Sequence, residues 1–191
     1  MQRSKEEREL KQIQRLLPDK AFPEYAFLPG HNPHPNKEGG HSYGVPEVEP
    51  LPLDSDFPFR SEEYLFSLDL YNFGFYWESH VGFEALWNKA GRTGFIADFL
   101  KALIKLGAAG IKARLKLEKA FEGHLERGYE LFKAIQVNHP LVAGFCVDDL
   151  LKYTSNLREK LSYYMDLSSS GNNILFPPLI PDEAIKWKKK S

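Results

Sequence analysis

The fold of this chain is decided by residues 95–111, which read FIADFLKALIKLGAAGI. Their apolar side chains recur with the 3.6-residue period of an α-helix and form one broad apolar face. The small residues at 107–110 would let a neighbouring helix approach closely. Charged residues interrupt the stretch at Asp98, Lys101 and Lys105, whereas a membrane-spanning helix needs about 20 mostly apolar residues. The stretch therefore predicts a central buried helix in a soluble protein.

The flanking sequence predicts further helices. Ser61 is expected to cap the first one, because its hydroxyl can accept a backbone N–H, and Gly74 is expected to end it. Four more helices are predicted. One covers 75–90, the next begins at a Thr93 cap and includes the central stretch, and the last two cover 117–135 and 147–165. We therefore predict an all-α fold, a compact bundle of four to five long helices.

Residues 18–60 have a different character, because they carry nine of the thirteen prolines. Proline fixes φ and removes a backbone donor, so this stretch should form neither a helix nor a central strand. Its aromatic side chains favour an ordered strap packed on the helices. We expect a single domain over 1–191, with an N-terminal helix (1–17), a Pro-rich strap (18–60), a helical core (61–166) and an extended tail (167–191).

Composition excludes some classes of function. The 191 residues include 25 basic and 26 acidic side chains, for a net charge of −1. This balance argues against a dedicated binder of nucleic acid or anionic membranes. The single cysteine, Cys146, cannot form an internal disulfide, and residues 1–17 lack the apolar core of a signal peptide. We therefore expect a cytoplasmic protein without a membrane or nucleic-acid partner.

Residues 70–87, LYNFGFYWESHVGFEALW, and 99–112, FLKALIKLGAAGIK, carry a resemblance to a known family. The region 70–135 resembles the domain of unknown function with serial number 309. Tyr76, His80, Glu84 and Trp87 match the family pattern, whereas Val81 stands where a glutamate is usual. The upstream loop 25–44, with its Pro-His-Pro and Gly-His-Ser-Tyr-Gly elements, is similar to the extension of longer bacterial members. The resemblance implies a compact helical bundle and no particular reaction.

Histidines in the strap suggest a metal site. His31, His34 and His41 lie there, and prolines on both sides of His34 would hold it rigidly, as a metal ligand requires. His80 and Glu84 lie four residues apart and so project from one helical face. We therefore consider a divalent metal such as zinc bound by His34, His41, His80 and Glu84. Water at an open coordination position would become a hydroxide nucleophile.

Two other interpretations of these residues remain open. The histidines could form a polar lock that holds the strap on the bundle without any chemistry. Alternatively, a metal-free pocket for a small polar ligand would lie where the strap crosses the helix of His80 and Glu84, with Tyr76 and Trp87 as its walls. The protein is then either a binder of a metal or small polar ligand, or a non-catalytic interaction module. Whether it is an enzyme stays open, as does its oligomeric state.

General acid–base chemistry would require buried carboxylates. Glu78, His80 and Glu84 could supply it if burial beside Trp77 and Trp87 raised the carboxyl pKa values. The sequence shows no nucleophile next to them, and a solvated Glu78 is the better interpretation.

A lysine stripe is a further candidate. If one helix ran straight through, five lysines would fall within about 60° of one another and could bind phosphate or an acidic partner. A solvated helix face explains them better, because glutamates lie nearby. The lysines are Lys101, Lys105, Lys112, Lys116 and Lys119.

Overall fold

The computed structural model describes residues 13–46, 48–169 and 173–182 and confirms an all-α bundle. Six α-helices occur in these ranges, against the four to five expected, because the last predicted helix is broken at Lys160. None of these helices is both long enough and apolar enough to cross a membrane. The helices are α1 (Glu62–Asn72), α2 (Tyr76–Lys89), α3 (Phe95–Arg114), α4 (Glu118–Gln136), α5 (Val147–Glu159) and α6 (Leu161–Ser169).

The predicted boundaries of α1 are confirmed. Ser61 caps the helix by accepting the backbone N–H of Tyr64 at 3.3 Å. Gly74 adopts φ +84° in the turn to α2, and a Cβ there would lie 2.4 Å from the carbonyl oxygen of Asn173. Glycine is therefore required both by the backbone conformation and by the C-terminal segment that passes over the turn.

The small-residue stretch of α3 accepts α2 at close range, as predicted. A Cβ at Gly110 would lie 2.5 Å from the ring of Tyr76, and one at Gly107 would lie 3.4 Å from Cβ of His80. Residue numbers rise along α2 as they fall along the facing part of α3, so the two helices are antiparallel. This packing fixes His80 over the middle of α3.

The ends of α3 differ from the prediction. Thr93 is not its cap, because Gly94 occupies the N-cap position with φ +87° and no side chain caps the helix. At the other end α3 stops at Arg114, and Lys116 turns the chain with φ +59°. The lysine stripe is thus divided, with Lys119 on the next helix.

The strap is ordered and lies on the bundle, as predicted. Its described residues contain no α-helix or strand, only a 3-10 turn at Pro58–Arg60. The ring of Phe22 packs 4.9 Å from that of Phe75, and Phe27 and Leu53 are buried.

The predicted N-terminal helix lies outside the described residues up to residue 12, and residues 13–17 are not helical. The backbone N–H groups of Leu16 and Leu17 instead donate to the two carboxylate oxygens of Asp69, at 2.8 and 2.9 Å. Asp69 is fully buried on α1, and Arg15 pairs with it at 3.5 Å. The carboxylate of Asp69 accepts these two N–H groups in place of the backbone carbonyls of a helix. It thereby holds the start of the strap in position.

The tail was expected to be extended from residue 167, but residues 167–169 belong to α6. The segment 173–182 contains no helix or strand and enters the core. Leu175, Phe176 and Leu179 are buried. Asn72 exchanges two hydrogen bonds with the backbone of Leu179, at 2.7 and 3.0 Å.

A two-stranded hairpin was not predicted. It pairs β1 (Leu141–Val142) with β2 (Phe145–Cys146). Ala143 and Gly144 between the strands both have positive φ, which is the geometry of a tight mirror-image turn.

Candidate functional site

His80 and Glu84 share one face of α2, as their spacing predicts. Nε2 of His80 lies 4.0 Å from Oε2 of Glu84, and the Glu84 side chain is half exposed. Nδ1 of His80 lies 3.3 Å from the carbonyl oxygen of Ile104 on α3. Burial is the main cause that lowers the pKa of His80, and Glu84 partly offsets it. Burial between α2 and α3 therefore favours the neutral form of this imidazole.

His34 lies near this face without any polar contact to it. Its ring packs edge-on against Trp77, at 5.7 Å between ring centroids, and against Phe27 at 5.3 Å. Trp77 stacks in turn on His80 at 6.1 Å. Nδ1 of His34 accepts the backbone N–H of Asn36. His34 is thus an aromatic packing residue of the strap.

A buried carboxylate holds the strap on α2. Oε1 of Glu78 accepts the backbone N–H of Phe27 at 2.8 Å and lies 3.2 Å from Nε2 of His41. Nδ1 of His41 contacts Oγ of Ser42 at 2.9 Å, while Tyr25 packs its ring against the imidazole and accepts the backbone N–H of His41. The side chain of Glu78 is only 7% exposed, so the solvated Glu78 expected from the sequence is wrong.

The four predicted metal ligands are not brought together. His41 pairs with Glu78, His34 packs on Trp77, and His80 pairs with Glu84. Within the described ranges, no group of three or more His, Cys, Asp or Glu side chains is arranged to hold a metal ion.

The two predicted pocket walls have different environments. Tyr76 is buried in the core, where its hydroxyl oxygen accepts the backbone N–H groups of Leu175 and Phe176, so it does not line an open pocket. Trp87 is half buried, with the side chains of Lys101 and Arg92 over its ring. Nε1 of Trp87 is buried and has no hydrogen-bond partner among the described residues.

Cationic side chains gather beside His80 where α3 meets α4. The pKa of His124 is lowered to about 4. Burial is the largest cause, and the charges of Lys105, Arg127 and Lys112 also contribute. Burial, with the charges of Arg127 and Lys101, also lowers the pKa of Lys105.

Sequence reasoning missed the roles of Asp69, Glu78 and His124. Asp69 lies in the apolar run of α1, and Glu78 follows Trp77. The apolar residues next to both carboxylates were the available indication that they are buried. Their partners Leu16 and Phe27 are more than 50 residues away along the chain and carry no motif. His124 stands on the apolar stripe of α4, which was the signal available for it.

Of three comparisons with known proteins, one found a match to part of the chain. No curated protein and no solved structure matches it. Residues 65–122, which run from within α1 through α2 and α3 to the start of α4, match the family described as a domain of unknown function (DUF309). The match includes His80, Glu84 and Trp87 and confirms the resemblance seen in the sequence. The helical region 65–122 is thus similar to the DUF309 family, over less than half of the chain.

Proposed function

We propose that this protein is a non-catalytic interaction module, whose strap presents an extended apolar peptide to a protein partner. The observation that carries the proposal is the exposure of Val45, Val48 and Leu51, at 64%, 88% and 81%. Single exposed apolar residues are normal on protein surfaces, whereas a regular set of them indicates a recognition site.

The spacing of these side chains matches one kind of backbone. A polyproline II helix has three residues per turn, so residues 45, 48 and 51 would lie along one edge of it. Pro46, Pro50 and Pro52 favour this conformation for themselves and for the residues before them. Between residues 48 and 53, the backbone forms no hydrogen bond with any other described residue. Such a segment is ready for a groove that reads polyproline II peptides.

The bundle holds both ends of this segment. On one side, His41 is held by Glu78. On the other, Leu53 is buried and Oγ of Ser55 accepts the backbone N–H of Ala143 at 3.1 Å. In this proposal the histidine and carboxylate contacts form a polar lock, and they reduce the entropy that the segment loses on binding.

The chemistry of the partner follows from the segment. It should offer an apolar, aromatic-lined groove with pockets for Val48 and Leu51. The sequence around them is acidic. Glu49 pairs with Lys89 at 2.7 Å, and a basic rim would complement Glu47 and Asp54. Because Cys146 is the only cysteine, we propose the reducing cytoplasm as the compartment in which the two meet.

Site-specific photo-crosslinking tests the proposal. A photoreactive amino acid at Val48 of the full chain should capture one discrete partner in cells, and Leu51→Glu should abolish the capture. A matched probe at Val137, which is 79% exposed just beyond α4, should not capture that partner. Equal capture from both positions, or capture that survives Leu51→Glu, would contradict the proposal.

A further inference from the structure

The cationic cluster of Lys105, Lys112, His124 and Arg127 is independent of the strap and of the function proposed for it. Lys105 and Lys112 lie two turns apart on α3, while His124 and Arg127 lie one turn apart on α4. The two helices cross here, because a Cβ at Gly128 would lie 3.6 Å from Cβ of Lys105.

The charged side chains of the cluster act on its histidine. Nη1 of Arg127 would lie 4.0 Å from a Cβ at Gly123, so its guanidinium folds back along α4 toward the turn that carries His124. His124 is affected by the charges of Lys105, Arg127 and Lys112, and also by His80 across α3. Four groups from two adjacent helices therefore act on a common region.

Negative charge is scarce in this region. The charge of Glu84 on α2 affects the pKa of both His80 and Lys105. Its carboxylate pairs with His80 at 4.0 Å and forms no ion pair with Lys105. In the described parts of the chain, no carboxylate forms an ion pair with Lys105, Lys112 or Arg127. Cations held together without an anion repel one another, and a bound anion would offset that repulsion.

One buried atom in the cluster also needs a partner. Nδ1 of His124 is shielded from solvent and makes no hydrogen bond with any described residue. Buried polar atoms are almost always paired, and an unpaired one calls for an explanation such as an ion. A neutral imidazole with its proton on this nitrogen could donate it to an oxyanion.

We propose that this cluster binds a small phosphorylated molecule, with Lys105, Lys112 and Arg127 around the phosphate and His124 donating a hydrogen bond to it. Phosphate fits because it carries close to two negative charges and several strong acceptor oxygens. Arginine recognises it through a fork of N–H groups, and lysine recognises it as a point charge. The net charge of −1 favours a small ligand over a nucleic acid.

Inorganic pyrophosphate is the probe for the test. We expect the imidazole resonances of His124 to shift saturably when pyrophosphate is added to the full chain at pH 7. Lys105→Met should weaken binding about tenfold, because it removes a charge-assisted hydrogen bond. Lys152→Met is the matched control, since Lys152 is exposed on α5 and pairs only with Asp149 among the described residues. This control should bind like the wild type.

Three outcomes would overturn the inference. One is the absence of a saturable shift of His124 in a protein that remains folded. Another is an equal loss of affinity in Lys105→Met and Lys152→Met, which would indicate attraction to overall charge alone. The third is binding of a single-stranded oligonucleotide more tightly than pyrophosphate. Thermal unfolding of each variant would confirm that the fold is intact.

Discussion

His41 and Glu78 meet across 37 residues of chain, with Nε2 of the imidazole 3.2 Å from Oε1 of the carboxylate. The same oxygen accepts the backbone N–H of Phe27, so one side chain of α2 holds the strap at two points. Both side chains of the pair are more than nine-tenths buried. The other oxygen, Oε2, is buried and has no hydrogen-bond partner among the described residues. Because a buried carboxylate is costly without hydrogen bonds, the two contacts of Oε1 favour this position of the strap.

Replacing this carboxylate should destabilise the protein. Glu78→Ala leaves the N–H of Phe27 and the ring of His41 without their partner, and we expect the free energy of unfolding to fall by about 2–4 kcal/mol. Glu84→Ala is the matched control on the same helix, where a half-exposed ion pair contributes about 0–1 kcal/mol. Urea unfolding measures both. Equal losses in the two variants would contradict the role of Glu78 as the lock.

The close contact of α2 with α3 predicts opposite effects at two glycines. Gly110→Ala would place a Cβ 2.5 Å from the ring of Tyr76, which cannot move away because its hydroxyl is bonded to Leu175 and Phe176. We expect a loss of about 1–3 kcal/mol from overpacking.

Gly123→Ala is the control for that substitution. Only Nη1 of Arg127 lies within 4.0 Å of the added Cβ, at an ordinary contact distance, so the better helix propensity of alanine should stabilise the protein by about 0.5–1 kcal/mol. Thermal and urea unfolding of both variants provide the measurement. A stable Gly110→Ala protein would show that the helices are not in contact at this point.

The local parts of the fold could be predicted from the sequence. Ser61, Gly74 and the small residues of α3 act within one turn or on the adjacent helix, so capping and periodicity identify them. Thr93 shows the limit of this reasoning, because Gly94 reaches the N-cap with a positive φ that a threonine would adopt only with strain.

The candidate site was less predictable because its contacts are long-range. The spacing of His80 and Glu84 placed them correctly on one helical face. No sequence spacing relates His41 to Glu78 or Leu16 to Asp69, since each contact depends on the path of the strap over the bundle. The same limit applies to His34, whose ring packs on Trp77 instead of pointing toward His80.

The metal hypothesis can be tested directly. We expect protein purified without an affinity tag to contain no stoichiometric zinc, and a chelator to leave its melting temperature unchanged. The reason is that both ring nitrogens of His41 are in contact with Glu78 and Ser42, and a metal would have to break one of these contacts. Elemental analysis provides the measurement. Stoichiometric zinc that is lost in both His34→Ala and His80→Ala would instead support the four-ligand site.

Acid should destabilise the protein through His124. Burial, then the charges of Lys105, Arg127 and Lys112, lower its pKa from 6.5 to about 4 in the folded state. Between these values the unfolded chain binds the proton and the folded chain does not. The stability from the neutral imidazole is therefore complete above about pH 6.5 and is lost as the pH falls toward 4.

His124→Gln should remove this part of the pH dependence. Between pH 7 and pH 5, we expect the free energy of unfolding of the wild type to fall by about 1 kcal/mol more than that of the variant, a value reduced to allow for solvent screening of a partly exposed ring. His80 retains a dependence of the same sign in both proteins. His31→Gln, on the exposed part of the strap, is the matched control and should follow the wild type. Urea unfolding at the two pH values measures this difference. If the free energy of unfolding falls equally in His124→Gln and the wild type, His124 is already solvated and free to titrate, which would contradict the prediction.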